Sequence, residues 1–383
     1  VTTSNPLTFE YQSHPQRVIF GAGRARSDLA GEVERLAGTR VLVIAGGSAL
    51  ALAGELTGTL PVVATFSGVQ QHVPVEVAEA VRALAAQTRA DLLLCIGGGS
   101  TTGTAKAVAL TTGLPILAIP TTYAGSEATP IWGLTEDSRK RTGTDSRVLP
   151  RTVLYDPDLT SSLPVELTVA SGLNALAHSV DAMWAPLANP VSTALAAAGI
   201  RALAEALPAV RREVAGARAD ALYGAYLAAV AFAGAGSGLH HKICHVLGGA
   251  YGLPHAPMHA VVLPHVLAFN TPAAPAAARE IAAALRKSEP VSKSGPEAAL
   301  DGLLALYAEI EAPRSLRELG LAESDLAEAA VLVARAAPPS NPRPFGPDQA
   351  RQLLQQAWAG DRPSPIHPSS LEEILETAQE ATS

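Results

Sequence analysis

Ten histidines are spread over 383 residues, yet His240, His241, His245, His255 and His259 fall within one stretch of twenty. Imidazoles at that density bind divalent cations, or else donate hydrogen bonds and move protons near neutral pH. His241 and His245 stand i, i+4, and so do Asn174 and His178, which puts each pair on one face of a helix. With an aspartate at 174, the set would make a plausible divalent-metal site. A neutral amide is a poor ligand by comparison, so the spacing points to a histidine cluster without a strong fourth ligand. A second group of residues suits an anion. Gly97-Gly98-Gly99-Ser100 follows the apolar run Asp91–Ile96 and opens a helical pattern. In such a turn, backbone N–H groups approach a diphosphate closely, and the helix N-terminus favours its charge. The run is not a G-x-G-x-x-G fingerprint and is weak alone. The next apolar run ends in Pro120-Thr121-Thr122-Tyr123-Ala124-Gly125-Ser126-Glu127, where Thr121 and Thr122 can bond a ribose or a nicotinamide amide.

These groups require elements to carry them. Val41–Ala45, Pro61–Phe66, Asp91–Ile96 and Pro115–Ile119 read as strands, separated by helical patterns over Ser48–Leu60, Val75–Thr88 and up to about Thr111. Alternation of this kind predicts a parallel sheet with helices on both faces and ligands at the carboxyl ends of its strands. A hairpin is expected next, out along Thr129–Leu134, through a polar turn from Thr135 to Ser146, and back along Arg151–Tyr155. From Leu159 onward only Ala-rich helical patterns follow. The expected fold class is an α/β nucleotide-binding domain over 1–158 plus an all-α domain over 159–383.

Composition narrows the function. Hydrophobic residues make up 48% and charged residues 16%, enough apolar matter for a large core. A net charge of −7 argues against a nucleic-acid partner. The two cysteines, Cys95 and Cys244, lie far apart and indicate a reducing compartment rather than a disulfide framework. The uncharged stretch Ala221–Leu239 has the length of a membrane span, but its Ala and Gly content reads better as a buried helix.

Residues 15–270 resemble the iron-containing alcohol dehydrogenases, two-domain enzymes related in fold to dehydroquinate synthase. The resemblance rests on Phe20-Gly21-Ala22-Gly23, the Gly97–Ser100 turn, Pro120–Glu127, Asp156-Pro157 and His241-x3-His245-x9-His255. It implies that Asn174, His178, His241 and His255 occupy the positions where that family holds a metal with one Asp and three His. Gly103 replaces the usual Asp of the glycine-turn helix. Together with Pro120–Glu136, Arg147–Asp156, Ser171–His178 and His240–Gly249, these departures look like the maleylacetate reductase branch.

The implied activity is reduction of the carbon–carbon double bond of 2-maleylacetate to 3-oxoadipate in aromatic-compound breakdown, with no bound metal expected. Implied catalytic groups are His178, His241 and His255, with His245 next; His259 and His265 read as packed core residues. Implied cofactor contacts are Gly46, Gly97, Gly98, Gly99, Ser100, Thr121, Thr122 and Lys140, and implied substrate contacts are Asn174, Tyr123, Lys242 and Arg147. No acid stands at Gly46 to repel a 2′-phosphate, so NADH and NADPH are both admitted. A cytoplasmic homodimer acting on a small dicarboxylate, with no nucleic-acid or membrane partner, completes the expectation. The alternatives are a metal-dependent alcohol dehydrogenase of the same family and a dehydroquinate synthase-like lyase.

Overall fold

A computed structural model describes residues 7–136, 139–286 and 296–366, with the side chains of 139, 140 and 296 left out. The N-terminal half runs β1 (Arg17–Phe20), α1 (Arg24–Arg35), β2 (Val41–Ala45), α2 (Leu50–Thr57), β3 (Val62–Phe66), α3 (Val75–Thr88), β4 (Leu92–Gly97), α4 (Gly99–Thr112), β5 (Ile116–Pro120), β6 (Ile131–Glu136), β7 (Arg139–Thr144) and β8 (Thr152–Tyr155). Helices follow: α5 (Val165–Ala182), α6 (Pro190–Arg211), α7 (Ala217–Ala235), α8 (Leu239–Tyr251), α9 (His255–Asn270), α10 (Pro275–Leu285), α11 (Pro296–Glu309), α12 (Leu326–Ala336) and α13 (Pro347–Ala359).

Six strands pair in parallel in the order β1-β8-β5-β4-β2-β3. The central strands β2, β4 and β5 are unbroken apolar runs buried along their whole length, as a sheet covered on both faces requires. One face packs on α1 and α2 through Leu29, Val33, Ala53 and Leu56. The other face merges into a core shared with α5, α6 and α7. A separate core joins α8, α9, α12 and α13. The sheet and the helical half are thus continuous at one face, and the segment after β5 meets α5 and α7 where Gly125 abuts His178 and Ala229.

The structure corrects one expected pairing. Arg151–Tyr155 is not the return strand of a hairpin. Its residues Thr152–Tyr155 enter the main sheet between β1 and β5, and the return strand is Arg139–Thr144. The burial pattern explains this. Thr152, Val153, Leu154 and Tyr155 are all buried, which a one-sided hairpin cannot provide, whereas β6 is half-exposed throughout. The edge strand β1 has only four residues and was not expected as a strand from its pattern. The stretch Ala221–Leu239 is not one helix: up to Ala235 it lies in α7, which packs on α5 and α6, then it breaks at 236–238 before Leu239 opens α8 at about 100°. Among the described residues, α6 is by length and composition apolar enough to cross a bilayer, and here its apolar face packs on α5, α7 and α10.

Candidate active site

The glycine turn sits at the carboxyl edge of β4. Gly97 has φ +150, and a Cβ there would stand 2.5 Å from Thr101 Oγ1. Cβ atoms at Gly98 and Gly99 would come within 3.0 Å of Thr122 Cγ2 and 3.1 Å of Ala124 Cβ. No side chain caps α4. The helix thus opens without a capping side chain on a bare, closely packed glycine backbone, a fit for the diphosphate of a dinucleotide. Thr121 N donates to Gly97 O at 3.0 Å, which fixes the Thr121–Thr122 segment beside the turn. Gly46, at the end of β2, lies close to Thr101 on the same edge.

The segment after β5 is held from below by Lys106, a fully buried residue of α4. Its Nζ donates to Ser126 O at 2.5 Å, Thr129 O at 2.7 Å and Ile131 O at 2.8 Å. Burial pushes its pKa down to about 7. Gly125, in this segment, abuts His178 on α5 and Ala229 on α7, which joins the nucleotide edge to the helical half.

Across the cleft the histidines form a contiguous set. His178 and His241 stack face to face, centroids 4.8 Å apart and planes 14° apart, with Phe232 against both. His241 lies 5.0 Å from His259, which lies 4.4 Å from His255. His240 Nε2 and His259 Nδ1 share a hydrogen bond of 2.9 Å. His241 Nδ1 meets Asp181 Oδ2 at 2.8 Å. The Asp181 carboxylate also accepts from Gly238 N at 2.9 Å, and from His240 N and His241 N at the start of α8. Only glycine at 238 permits this, since a Cβ would stand 2.3 Å from Asp181 Oδ1. Desolvation raises the Asp181 carboxyl, against the pull of those N–H groups.

Burial lowers the histidines. His178 falls to about 4, His240 to about 3, and His259 well below its ordinary value. These three are neutral at physiological pH. His178 Nδ1, His240 Nδ1, His259 Nε2 and Asn174 Oδ1 are buried with no hydrogen-bond partner among the described residues.

The sequence-expected residues separate into those the fold gathers and those it does not. Asn174, His178, His241 and His255 belong to the helical wall, and His245 lies 6.2 Å from His241 on α8. Tyr123 is fully buried, with its hydroxyl on Thr160, and packs between the domains rather than lining the cleft. Arg147 is exposed and engaged by Asp145 at 2.7 Å within its own turn. Arg141 pairs with Glu136 across the hairpin. Lys242 is half-buried on α8. Lys140 pairs in register with Thr135, and its side chain lies outside the described residues.

His259, expected as a packed core residue, is fully buried and bridges His240, His241 and His255. Asp181 was missed, although Asn174, His178 and Asp181 stand i, i+4, i+7 on one face of α5. Of the positions that the resemblance sets at the family's metal site, His178 and His241 stack, while His255 lies against His259 and His72. Among the described residues, the three candidate ligand atoms within 4.8 Å of one another belong to His240, His241 and His259. Of these, His240 and His259 already bond each other.

A parallel sheet ending in a glycine cradle, closed by a helical wall of neutral imidazoles, defines a two-domain nicotinamide-dependent oxidoreductase. Family models for iron-containing alcohol dehydrogenase and for the C-terminal part of the Fe-containing alcohol dehydrogenase family match residues 15–157 and 168–358. The chain belongs to the iron-containing alcohol dehydrogenase family. It is 45% identical to a maleylacetate reductase of Burkholderia cepacia, over 93% of this chain and 99% of that one. A maleylacetate reductase of Sphingobium indicum is also 45% identical, over 92% and 98%. Among solved structures, an iron-containing alcohol dehydrogenase from Corynebacterium glutamicum is 50% identical with a TM-score of 0.87, covering 92% of this chain and 98% of that one. A maleylacetate reductase from Agrobacterium tumefaciens is 41% identical with a TM-score of 0.85, covering 93% and 99%. Kinship with an iron-containing family gives no support to the expectation of a metal-free site. That expectation rests on Asn174 alone.

Proposed function

We propose that this chain is a maleylacetate reductase, which reduces the carbon–carbon double bond of 2-maleylacetate to give 3-oxoadipate with NADH or NADPH. The observation that carries the reading is a neutral histidine wall with Asn174 at its edge, set opposite the glycine cradle. Relatives of that name at 43–45% identity over more than nine-tenths of the chain support it.

A nicotinamide dinucleotide, when bound, would supply the hydride. Gly97–Ser100 and the α4 N-terminus would hold its diphosphate, and Thr121 and Thr122 would orient the ring end. Hydride added at the alkene carbon beta to the ketone breaks the π bond and leaves an enolate charged on the ketone oxygen, and a proton taken up at the alpha carbon restores the ketone. Imidazole N–H groups aimed at that oxygen stabilise it. His178 and His255 are the neutral donors of choice, with His245 as the next candidate for proton delivery; His241, whose Nδ1 N–H goes to Asp181, donates from Nε2 only as an imidazolium paired with that carboxylate. The Asp181 carboxylate fixes the ring of His241 by accepting from its Nδ1, so the far nitrogen faces away from the carboxylate. An isolated carbonyl would call for a stronger electrophile, which a metal supplies in alcohol dehydrogenases. The conjugated enone spreads the charge, and neutral donors suffice. In the same reading the enzyme works as a cytoplasmic homodimer.

A mixture of the protein, fresh maleylacetate and NADH or NADPH should lose absorbance at the nicotinamide band, before and after exhaustive chelation. No turnover with either nucleotide, beside good activity on simple aldehydes, refutes the substrate. The buried His240–His241–His259 trio favours a second reading with a bound cation. Activity that is abolished by chelation and restored by iron or zinc would select it.

A further inference from the structure

We propose that His72, from the nucleotide-binding half, is a specificity-determining residue that holds a carboxylate of the substrate at the mouth of the cleft, opposite His255. The inference rests on the reductase reading. His72 was not among the residues picked out by spacing, because it stands alone between β3 and α3. Its backbone marks it. His72 and Val73 are consecutive residues in the left-handed region, at φ 61 and φ 53. A β-branched residue there is an outlier that persists only when its surroundings dictate it.

The surroundings do so from two sides. Thr135 Oγ1 donates to His72 O at 2.8 Å, and Thr135 N donates to Val73 O at 3.0 Å. The Val73 side chain is buried on α4 at Gly103, where a Cβ would stand 2.8 Å from Val73 Cγ2. The bare backbone at 103 therefore makes the room that this strained loop occupies. Gly103 is one turn into the helix that opens at the nucleotide cradle.

This support delivers the imidazole across the cleft. The His72 ring lies 6.5 Å from His255, edge to face, and its Cε1 would be 3.7 Å from a Cβ at Gly248 on α8. His255 is exposed and His72 half-buried, while His178, His240, His241 and His259 are buried. A ligand entering from solvent meets the first two before the wall. A dicarboxylate needs donors at that point, and two arginines near the hairpin are engaged by Asp145 and Glu136. An imidazole N–H donates to a carboxylate in the neutral form as well as the charged one.

Three variants of the full chain test this. His72→Phe keeps a ring against His255 and removes the donor. It should raise the KM for maleylacetate by about tenfold or more, and should change kcat and the KM for NADH by less than about threefold. His72→Asn, which returns an N–H, should recover part of the loss. Gly103→Ala leaves the imidazole intact but displaces Val73, and should raise the same KM. An unchanged KM for maleylacetate in His72→Phe overturns the inference, as does an equal rise in both KM values. A wild-type chain inactive on maleylacetate fails before any variant is compared. That result would bring down the functional reading itself.

Discussion

Mild acid should unfold this protein from its histidines outward. His178, His240, His259 and His265 are buried, and burial lowers their pKa values to about 4 for His178 and His265, about 3 for His240, and well below the ordinary value for His259. In the unfolded chain all four titrate near 6.5. Between that value and the folded values the unfolded state binds more protons, so stability falls as pH falls. The stability is fully present above about pH 7.5 and is lost progressively below 6.5. At pH 5.5 each such histidine costs about 1.4 kcal/mol relative to pH 7.5, and the four together about 5 kcal/mol. That is a large share of a typical domain's stability of about 5–15 kcal/mol. Urea unfolding followed by circular dichroism at pH 7.5, 6.5 and 5.5 reads this directly. His265→Gln removes one histidine outside the active-site set and should flatten the slope by about a quarter, on the same linkage arithmetic. A midpoint independent of pH between 7.5 and 5.5 would refute the claim that these rings are buried and neutral.

Asp181→Asn leaves the helix N-terminus and His241 without their carboxylate, and should lower unfolding free energy by about 3 kcal/mol. It should also lower kcat while the KM for NADH holds; unchanged kcat would remove Asp181 from the site. Gly97→Ala forces a Cβ toward Thr101 and a strained φ, a cost of about 1–3 kcal/mol. The KM for NADH should rise about tenfold or more, and an unaltered KM would mean the diphosphate lies elsewhere. Asn174→Asp should allow iron or zinc to be retained through gel filtration at higher stoichiometry than in the wild type, measured by metal analysis. Equal metal content in both would show that residue 174 does not govern binding.

Much of the sheet was legible because buried parallel strands leave contiguous apolar runs, as in Val41–Ala45 and Leu92–Gly97. Arg151–Tyr155 was read as a strand but given the wrong partner. Pairing depends on which runs must be buried on both faces, and a polar return strand such as Arg139–Thr144 carries little apolar signal. The glycine cradle was legible because close backbone approach selects glycine. Asp181 was hidden because its partners come from α8, sixty positions away from it for His241. His72 was hidden because a strained loop has no sequence period, and residue type alone does not show that the Tyr123 hydroxyl meets Thr160 or that Arg147 is engaged by Asp145.

The two carboxylate positions on α5 bear on the chemistry together. A buried carboxylate without a partner costs several kcal/mol, so an acid at 174 is tolerable only beside a cation. Asp181 escapes that cost through the N–H groups of Gly238, His240 and His241 and the ring of His241. Asn174 has no such partners: its Oδ1 is buried and accepts no hydrogen bond among the described residues. On the metal-free reading proposed above, an amide at 174 and the lack of a resident cation go together, since an acid there without a cation leaves an unbalanced charge in the wall. What remains is a set of neutral donors, suited to an oxygen whose charge is shared along an enone. The burden of binding a dianion then shifts outward to groups at the mouth, where His72 and His255 meet.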